Sequence, residues 1–345
     1  MQKVKLLAKS TNWLNSELST VLVEVPTTKI AQLRTHRTLH QTDYIDVSEH
    51  LLSMSSNSSR AIPVEKHFTN LSEHYFIPEW TEAAKGMVGK KVTDAETIHR
   101  ATELWKKAKK NAEKITRDLI ELGIHKQDVS LLLSPFTFSN VILTGDDKAW
   151  GQFFELRCPK YKNESGNVFY SAEAFEENNN QRLPVNTSTA YPAIQEVAAS
   201  IYNTIRKAKS NFLNEGEWHL PFSGMIDKMP YTENSRETLK NKMYRQNKVD
   251  EYEKVVKPKI SASLCAKISF DTTFANDTWQ KHLDRATRLI QDKHFSPFEH
   301  QYKVPSKEEL SKMTSTFAST NGKITFSIKP FASNIPNWIQ FRKLL

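Results

Sequence analysis

Glycine is scarce in this chain, nine among 345 residues, and no Gly-x-Gly-x-x-Gly occurs. A Rossmann dinucleotide site needs glycines where the backbone approaches the pyrophosphate, so that architecture has no support in this sequence. The nearest phosphate-loop look-alike, Gly86-Met87-Val88-Gly89-Lys90-Lys91, has the wrong spacing and no strand before it, and reads as a surface turn. Cysteine is scarcer still: Cys158 and Cys265 stand alone, in no Cys-x-x-Cys pair. Neither a disulfide framework nor a zinc ribbon is indicated, no metal site is expected, and a reducing compartment fits. No apolar run approaches the ~18 residues of a spanning helix. The basic start, residues 1–9, breaks off into Ser10-Thr11-Asn12 without the apolar stretch of a secretory signal. The expectation is a cytoplasmic protein without membrane contact, in the host cytoplasm if the source is viral.

Positive charge is in excess: 48 Lys and Arg against 39 Asp and Glu, a net charge of +9. Such a balance favours anionic partners, nucleotides among them. Much of it lies in runs such as Lys106-Lys107-Ala108-Lys109-Lys110, which read as a solvated helix face. Nucleic acid is therefore not the expected partner. A mean hydropathy of -0.57 describes a globular chain that can bury a sizeable core.

Strand and helix signals alternate. Leu22-Val23-Glu24-Val25 reads as a strand stopped by Pro26, and Thr27 or Thr28 caps a helix through Ile30 and Leu33 towards Arg37. The clearest helix opens at Thr93-Asp94-Ala95-Glu96 as a capping box. Its apolar face runs through Ile98, Ala101, Trp105, Ala108, Ala112, Ile115 and Leu119, and Gly123 is its stop. Residues 136–143 read as a strand ended by Thr144-Gly145-Asp146-Asp147; 150–156, 192–208 and 279–290 read as helices, and 260–270 as a strand or the start of a buried helix. The polar stretch 158–189 reads as an insertion or loop, and 234–257 as a charged helix or linker. With no internal repeat, the pattern argues for one elaborated domain, 1–345, of mixed α/β (α+β) class, a mixed sheet with long helices.

Two short segments carry the chemistry. One is Thr35-His36-Arg37, resumed at Ser53-Met54-Ser55-Ser56-Asn57-Ser58-Ser59-Arg60-Ala61-Ile62-Pro63; the other is His294-Phe295-Ser296-Pro297-Phe298-Glu299-His300. Hydroxyls beside an arginine fork suit a phosphate, although a Ser-rich stretch ending in arginine is by itself only a loop. Together the segments resemble the signatures of flavin-dependent thymidylate synthases. The family motif runs Arg-His-Arg-x-x-Ser-x-Asn-Glu-x-Ser-x-Arg-Tyr; His36, Arg37, Ser53, Ser58 and Arg60 match it, around an insertion at about 39–51. Long, bacteriophage-type members are similar in having Ser-Ser-Arg-Ala-Ile-Pro and a late Ser-Pro-Phe-Glu-His. They are also similar at Gly216-Glu217-Trp218-His219-Leu220-Pro221 and at the tail Trp338-Ile339-Gln340-Phe341-Arg342-Lys343.

The resemblance implies the fold of that family with insertions, and a homotetramer whose sites draw on several chains. It implies FAD bound by His36, Arg37, Gln152, Ser269, His294, Ser296 and Glu299. Gln32, Ser58 and Arg60 would hold dUMP, with Arg157 beside the pyrimidine as the catalytic residue. The reaction would be reductive methylation of dUMP to dTMP, with methylenetetrahydrofolate as carbon donor and NADPH as reductant. This chain departs from the pattern at Ser55 (asparagine in the family), Ser56 (glutamate), Leu131 (an arginine reaching the nucleotide) and Thr189-Ala190-Tyr191-Pro192-Ala193-Ile194 (His-Ala-Gln-x-Glu-Ile). These departures leave two alternatives open: a hydroxymethylase of pyrimidine nucleotides, and a catalytically silent structural or regulatory member.

Overall fold

The computed structural model describes residues 4–33, 52–56, 64–85, 89–268, 276–313, 316–320, 323–327, 331 and 333–345. Its strands are β1 (Val4–Asn12), β2 (Glu17–Pro26), β3 (Ser53–Ser56), β4 (Phe138–Asp146), β5 (Tyr161–Lys162), β6 (Val168–Phe169), β7 (Asn211–Leu213), β8 (Trp218–His219), β9 (Tyr302–Lys303), β10 (Thr316–Thr320), β11 (Lys323–Ser327) and β12 (Ile339–Gln340). The main sheet has the order β3-β4-β2-β1-β7. It is mixed, because β7 runs parallel to β1 while the other pairs are antiparallel. The fold is thus the mixed α/β class that the alternation of signals implies.

Both faces of the sheet are covered, which is why its central strands read as apolar runs. On one face Val21, Val23, Val25, Val141 and Leu143 pack beneath the helices Asp147–Arg157 and Pro192–Lys207. On the other face Ile142 and Leu22 meet the helix Lys257–Lys267 and its π-helical lead-in Tyr252–Val256. As far as Lys267 the strand-or-helix ambiguity resolves to helix, with Ile260, Ala262, Leu264 and Cys265 all buried; residues 269 and 270 lie outside the described residues. A helix inside a core is apolar around its whole circumference and so loses the periodicity that distinguishes it from a strand. The small sheet β12-β9-β8 lies across the second face, with Tyr302 and Gln340 reaching Ser53 of β3 and His219 reaching Ser10 of β1.

The long helix Ala95–Glu121 forms where expected, with two differences. Its cap is Asp94, whose carboxylate accepts from the Thr97 amide at 2.8 Å, so the cap sits one residue later than the Thr93 box. Its inner stripe is Trp105, Ala112, Thr116 and Ile120, packed near Phe68, Leu133 and Phe136. Trp105 and Ala112 belong to the expected face, but Thr116 and Ile120 join them while Ala108 and Ile115 face outward, as do Leu104 (67% exposed) and Leu122. Gly123 ends it at φ 78°, a left-handed conformation that glycine adopts without a Cβ penalty.

The stretch 158–189 contains the ribbon β5–β6 and the helix Ala172–Asn178, whose Phe175 is buried edge-on to Phe169. The stretch 234–257 contains the helices Leu239–Arg245 and Val249–Glu251 before the π-turn.

Phe153 is fully buried beneath the exposed face of Asp147–Arg157 that carries Gln152. Phe153→Ala is expected to cost ~3–5 kcal/mol in urea unfolding, whereas Gln152→Ala leaves the midpoint in place. Equal losses from the two substitutions would mean that the helix is docked in a different rotation.

Candidate functional site

The second sheet face carries a line of buried polar groups. Thr20 of β2 and Thr144 of β4 are directly paired across the strands, and their hydroxyls lie 2.7 Å apart. Each hydroxyl also reaches an imidazole. Thr20 Oγ1 is 2.8 Å from His219 Nε2, and Thr144 Oγ1 is 2.9 Å from His300 Nδ1. The far nitrogens continue the line, His219 Nδ1 to Ser10 Oγ at 2.9 Å and His300 Nε2 to Ser55 Oγ at 2.8 Å. Ser55 in turn donates to the Ser296 carbonyl at 3.1 Å. Both histidines are fully buried, and burial pushes each down to about 3, His219 being lowered further by its nearness to His300. They are neutral imidazoles at ordinary pH.

A second network clamps the same edge. Gln340 of β12 donates to Tyr302 Oη at 2.8 Å, to Ser53 Oγ at 3.3 Å and to the Glu299 carbonyl at 3.2 Å, while Ser53 and Tyr302 share a 2.9 Å hydrogen bond. Trp338, buried against Leu18, donates to Ser16. The late segment and the tail are therefore fastened onto β3, and this fastening brings Ser296 and Glu299 beside Ser53 and Ser55. Ser296 and His294 are exposed; the Glu299 side chain forms an ion pair with Arg342. Ser53, matched to a motif serine, is buried in the clamp.

Gln152 and Arg157 stand on the helix that covers the opposite sheet face. Arg157 is half-buried, and burial lowers its guanidinium below the usual arginine range. Gln32 is half-buried on the 3-10 turn Thr27–Leu33, anchored by Leu33 in the core and by Lys29 stacked 3.9 Å over the Tyr191 ring. That turn packs against Ser130–Phe136, which carries Leu131 with 66% of its surface exposed. His36, Arg37, Ser58, Arg60 and Ser269 lie outside the described residues. The flanks of Ser269 are tied by Lys267 to Asp277 at 2.8 and 2.9 Å.

A family model described as Thy1, thymidylate synthase complementing protein, matches residues 11–209, more than half of the chain. The chain belongs to the flavin-dependent thymidylate synthase family. The matched span contains Gln32, Gln152 and Arg157 as well as the motif residues His36, Arg37, Ser58 and Arg60; Ser269, His294, Ser296 and Glu299 lie beyond it. Among solved structures the chain is similar to the UMP/dUMP methylase PolB from Streptomyces cacaoi. With 5-Br UMP bound, that protein gives 16% identity and a TM-score of 0.41, over 60% of this chain and 89% of that one. With 5-Br dUMP the values are 14% and 0.39, over 60% and 91%. A likeness at this level transfers no residue and no ligand to this family member. No curated protein matches the chain.

Sequence reasoning gave no role to Thr20, Ser10 or His219, and it read Thr144 as the end of a strand that in fact runs on to Asp146. Only cross-strand register makes these residues neighbours, and a lone threonine in a strand carries no signal of its own. The two cysteines are buried, and burial pushes both thiols up, away from nucleophilic use. Among the described residues no His, Cys, Asp and Glu group is placed to hold a metal, and no helix is long and apolar enough to cross a membrane.

The neutral histidines make the fold acid-sensitive. In the unfolded chain they titrate near ~6.5, so below that pH the unfolded state takes up protons that the native state refuses. Stability is unaffected by them above ~6.5 and falls as pH drops towards about 3. His282, pushed down to about 4 mainly by burial, adds to the same slope. Urea midpoints at pH 7, 6 and 5 should decline between 6 and 5, above the range where most carboxylates titrate. The slope should approach about 1.4 kcal/mol per pH unit for each histidine. A midpoint constant down to pH 5 would show that the imidazoles protonate in place.

Proposed function

We propose that this protein is a flavin-dependent thymidylate synthase that converts dUMP to dTMP with methylenetetrahydrofolate and NADPH. The family match over 11–209 carries the reading, since that span holds the residues assigned to the nucleotide. In this reading Ser58 and Arg60 hold the phosphate, Gln32 donates to the nucleotide, and Arg157 lies beside the pyrimidine. A partly desolvated guanidinium there favours negative charge developing on the ring, because it is poorly screened. His36, Arg37, Gln152, Ser269, His294 and Ser296 would hold FAD, which supplies the reducing equivalents for a carbon transferred from the folate. The polar groups of Gln152, His294 and Ser296 are accessible for this. Glu299 would act through its pair with Arg342.

Gln152 and the 294–299 segment stand on opposite faces of one sheet. A flavin contacting both would draw them from different copies of the chain, which agrees with the homotetramer that the family resemblance implies. The outward stripe Leu104, Ile115 and Leu122 is available to bury between copies. A second reading, hydroxymethylation of a pyrimidine nucleotide, is favoured by Leu131, which removes an arginine from the nucleotide side. A silent structural role is favoured by the Glu299 carboxylate being engaged within its own chain.

Purified protein is expected to carry or bind FAD, seen as flavin absorbance, and His36→Ala with His294→Ala to abolish it; a colourless protein that binds no FAD would favour the silent role. Arg60→Ala should weaken dUMP binding by roughly ten- to more than a hundredfold, the loss of a charge-assisted contact of about 1.5–3 kcal/mol. Calorimetry showing no loss would remove Arg60 as the anchor. Because Leu131 is exposed, Leu131→Arg adds a fork without burying charge, and dUMP affinity should rise. Product analysis with dUMP and dCMP then separates methylation from hydroxymethylation.

A further inference from the structure

The line from Ser10 to Ser296 has an end that fixes its direction. A backbone carbonyl only accepts, so the one proton of Ser55 is committed to Ser296. Ser55 must then accept from His300 Nε2, which makes that nitrogen the protonated one. A neutral imidazole has a single N–H, so His300 Nδ1 accepts from Thr144. Thr144, its proton spent, accepts from Thr20; Thr20 accepts from His219 Nε2; and His219 Nδ1 accepts from Ser10. Every donor along the line finds an acceptor in one consistent order. The four ring-nitrogen contacts are all to hydroxyls, and both rings are fully buried.

We propose that Ser10, His219, Thr20, Thr144, His300 and Ser55 form a direction-locked relay, anchored by the Ser296 carbonyl, in which His300 is the positioning residue for Ser55. The relay ties the edge strand β3 and the 296–300 segment to β1 on the far side of β2. It also sets the chemistry of that edge. Ser55 donates a hydrogen bond to the Ser296 carbonyl and accepts one from His300, so its remaining hydrogen-bonding capacity is as an acceptor. A ligand group meeting Ser55 has to bring an N–H or O–H donor. This inference is independent of the nucleotide reading, because it concerns hydrogen-bond directions in the ligand-free protein.

The test is imidazole 15N NMR of the full chain without added ligand, with assignments from histidine substitutions. Both His219 and His300 are expected to be neutral and protonated on Nε2. Ser55→Ala, at the half-exposed sheet edge, removes the lock and should shift the His219 nitrogens, although the Ser55 hydroxyl bonds to His300 and Ser296 and not to His219. In a Thr144→Val background the line is cut, so Ser55→Ala should then leave His219 unmoved, and Thr144→Ser should restore the response. If Thr144→Val fails to fold, the wild-type tautomers and the single Ser55→Ala comparison still decide. Protonation of either wild-type imidazole on Nδ1, a His219 signal indifferent to Ser55→Ala, or an equal response with Thr144→Val would each overturn the relay.

Discussion

A buried hydroxyl or imidazole without a partner is costly, and the structure around this sheet follows from meeting that constraint. Thr20 and Thr144 place two hydroxyls at the same register position of adjacent central strands, on the face that also carries Leu22 and Ile142. On a face sealed from water they need partners, and the pair obtains them from His219 and His300, which arrive from distant parts of the chain. Two short strands, β8 and β9, adjoin those histidines, and β12 completes their sheet through Gln340. The small sheet, the clamp and the docking of 296–300 on β3 are thus parts of one solution.

That solution determines what the family residues can do. Ser53 is held in the clamp and Ser55 in the hydrogen-bonded line, so these two motif positions already have partners within the chain, whereas Ser56 is exposed. His294 and Ser296 remain accessible, whereas Glu299 is drawn to Arg342. On the opposite face an apolar core of aromatic and branched side chains holds the helix of Gln152 and Arg157, along with the turn of Gln32. Burial of Arg157 and exposure of Leu131 follow from where each lies on its element, near a core or away from one.

Local signals were legible in the residues. The strand ended by Pro26, the helix stopped by Gly123 and the helix opened by Pro192 all appear, because proline and glycine act within a turn or two of themselves. The rotation of Ala95–Glu121 was legible only in part. Its apolar residues span a broad arc, so Trp105 and Ala112 were legible, but the Phe68–Phe136 cluster takes Ile120 beside them and leaves Ile115 outside. The helical structure of 260–267 was hidden for a related reason, since a helix buried on all sides has no polar face to mark its period.

The sequence by itself determined the class of fold, the family and the residue types available for an anionic nucleotide, because motifs and breakers act through near neighbours along the chain. Only the tertiary structure decided that His300 lies within the core, that Ser55 faces it, and that Gln152 and Ser296 stand on opposite sides of one sheet. Strand register and sheet order bring together residues as far apart as Ser55 and His300, and no local pattern encodes such a pairing.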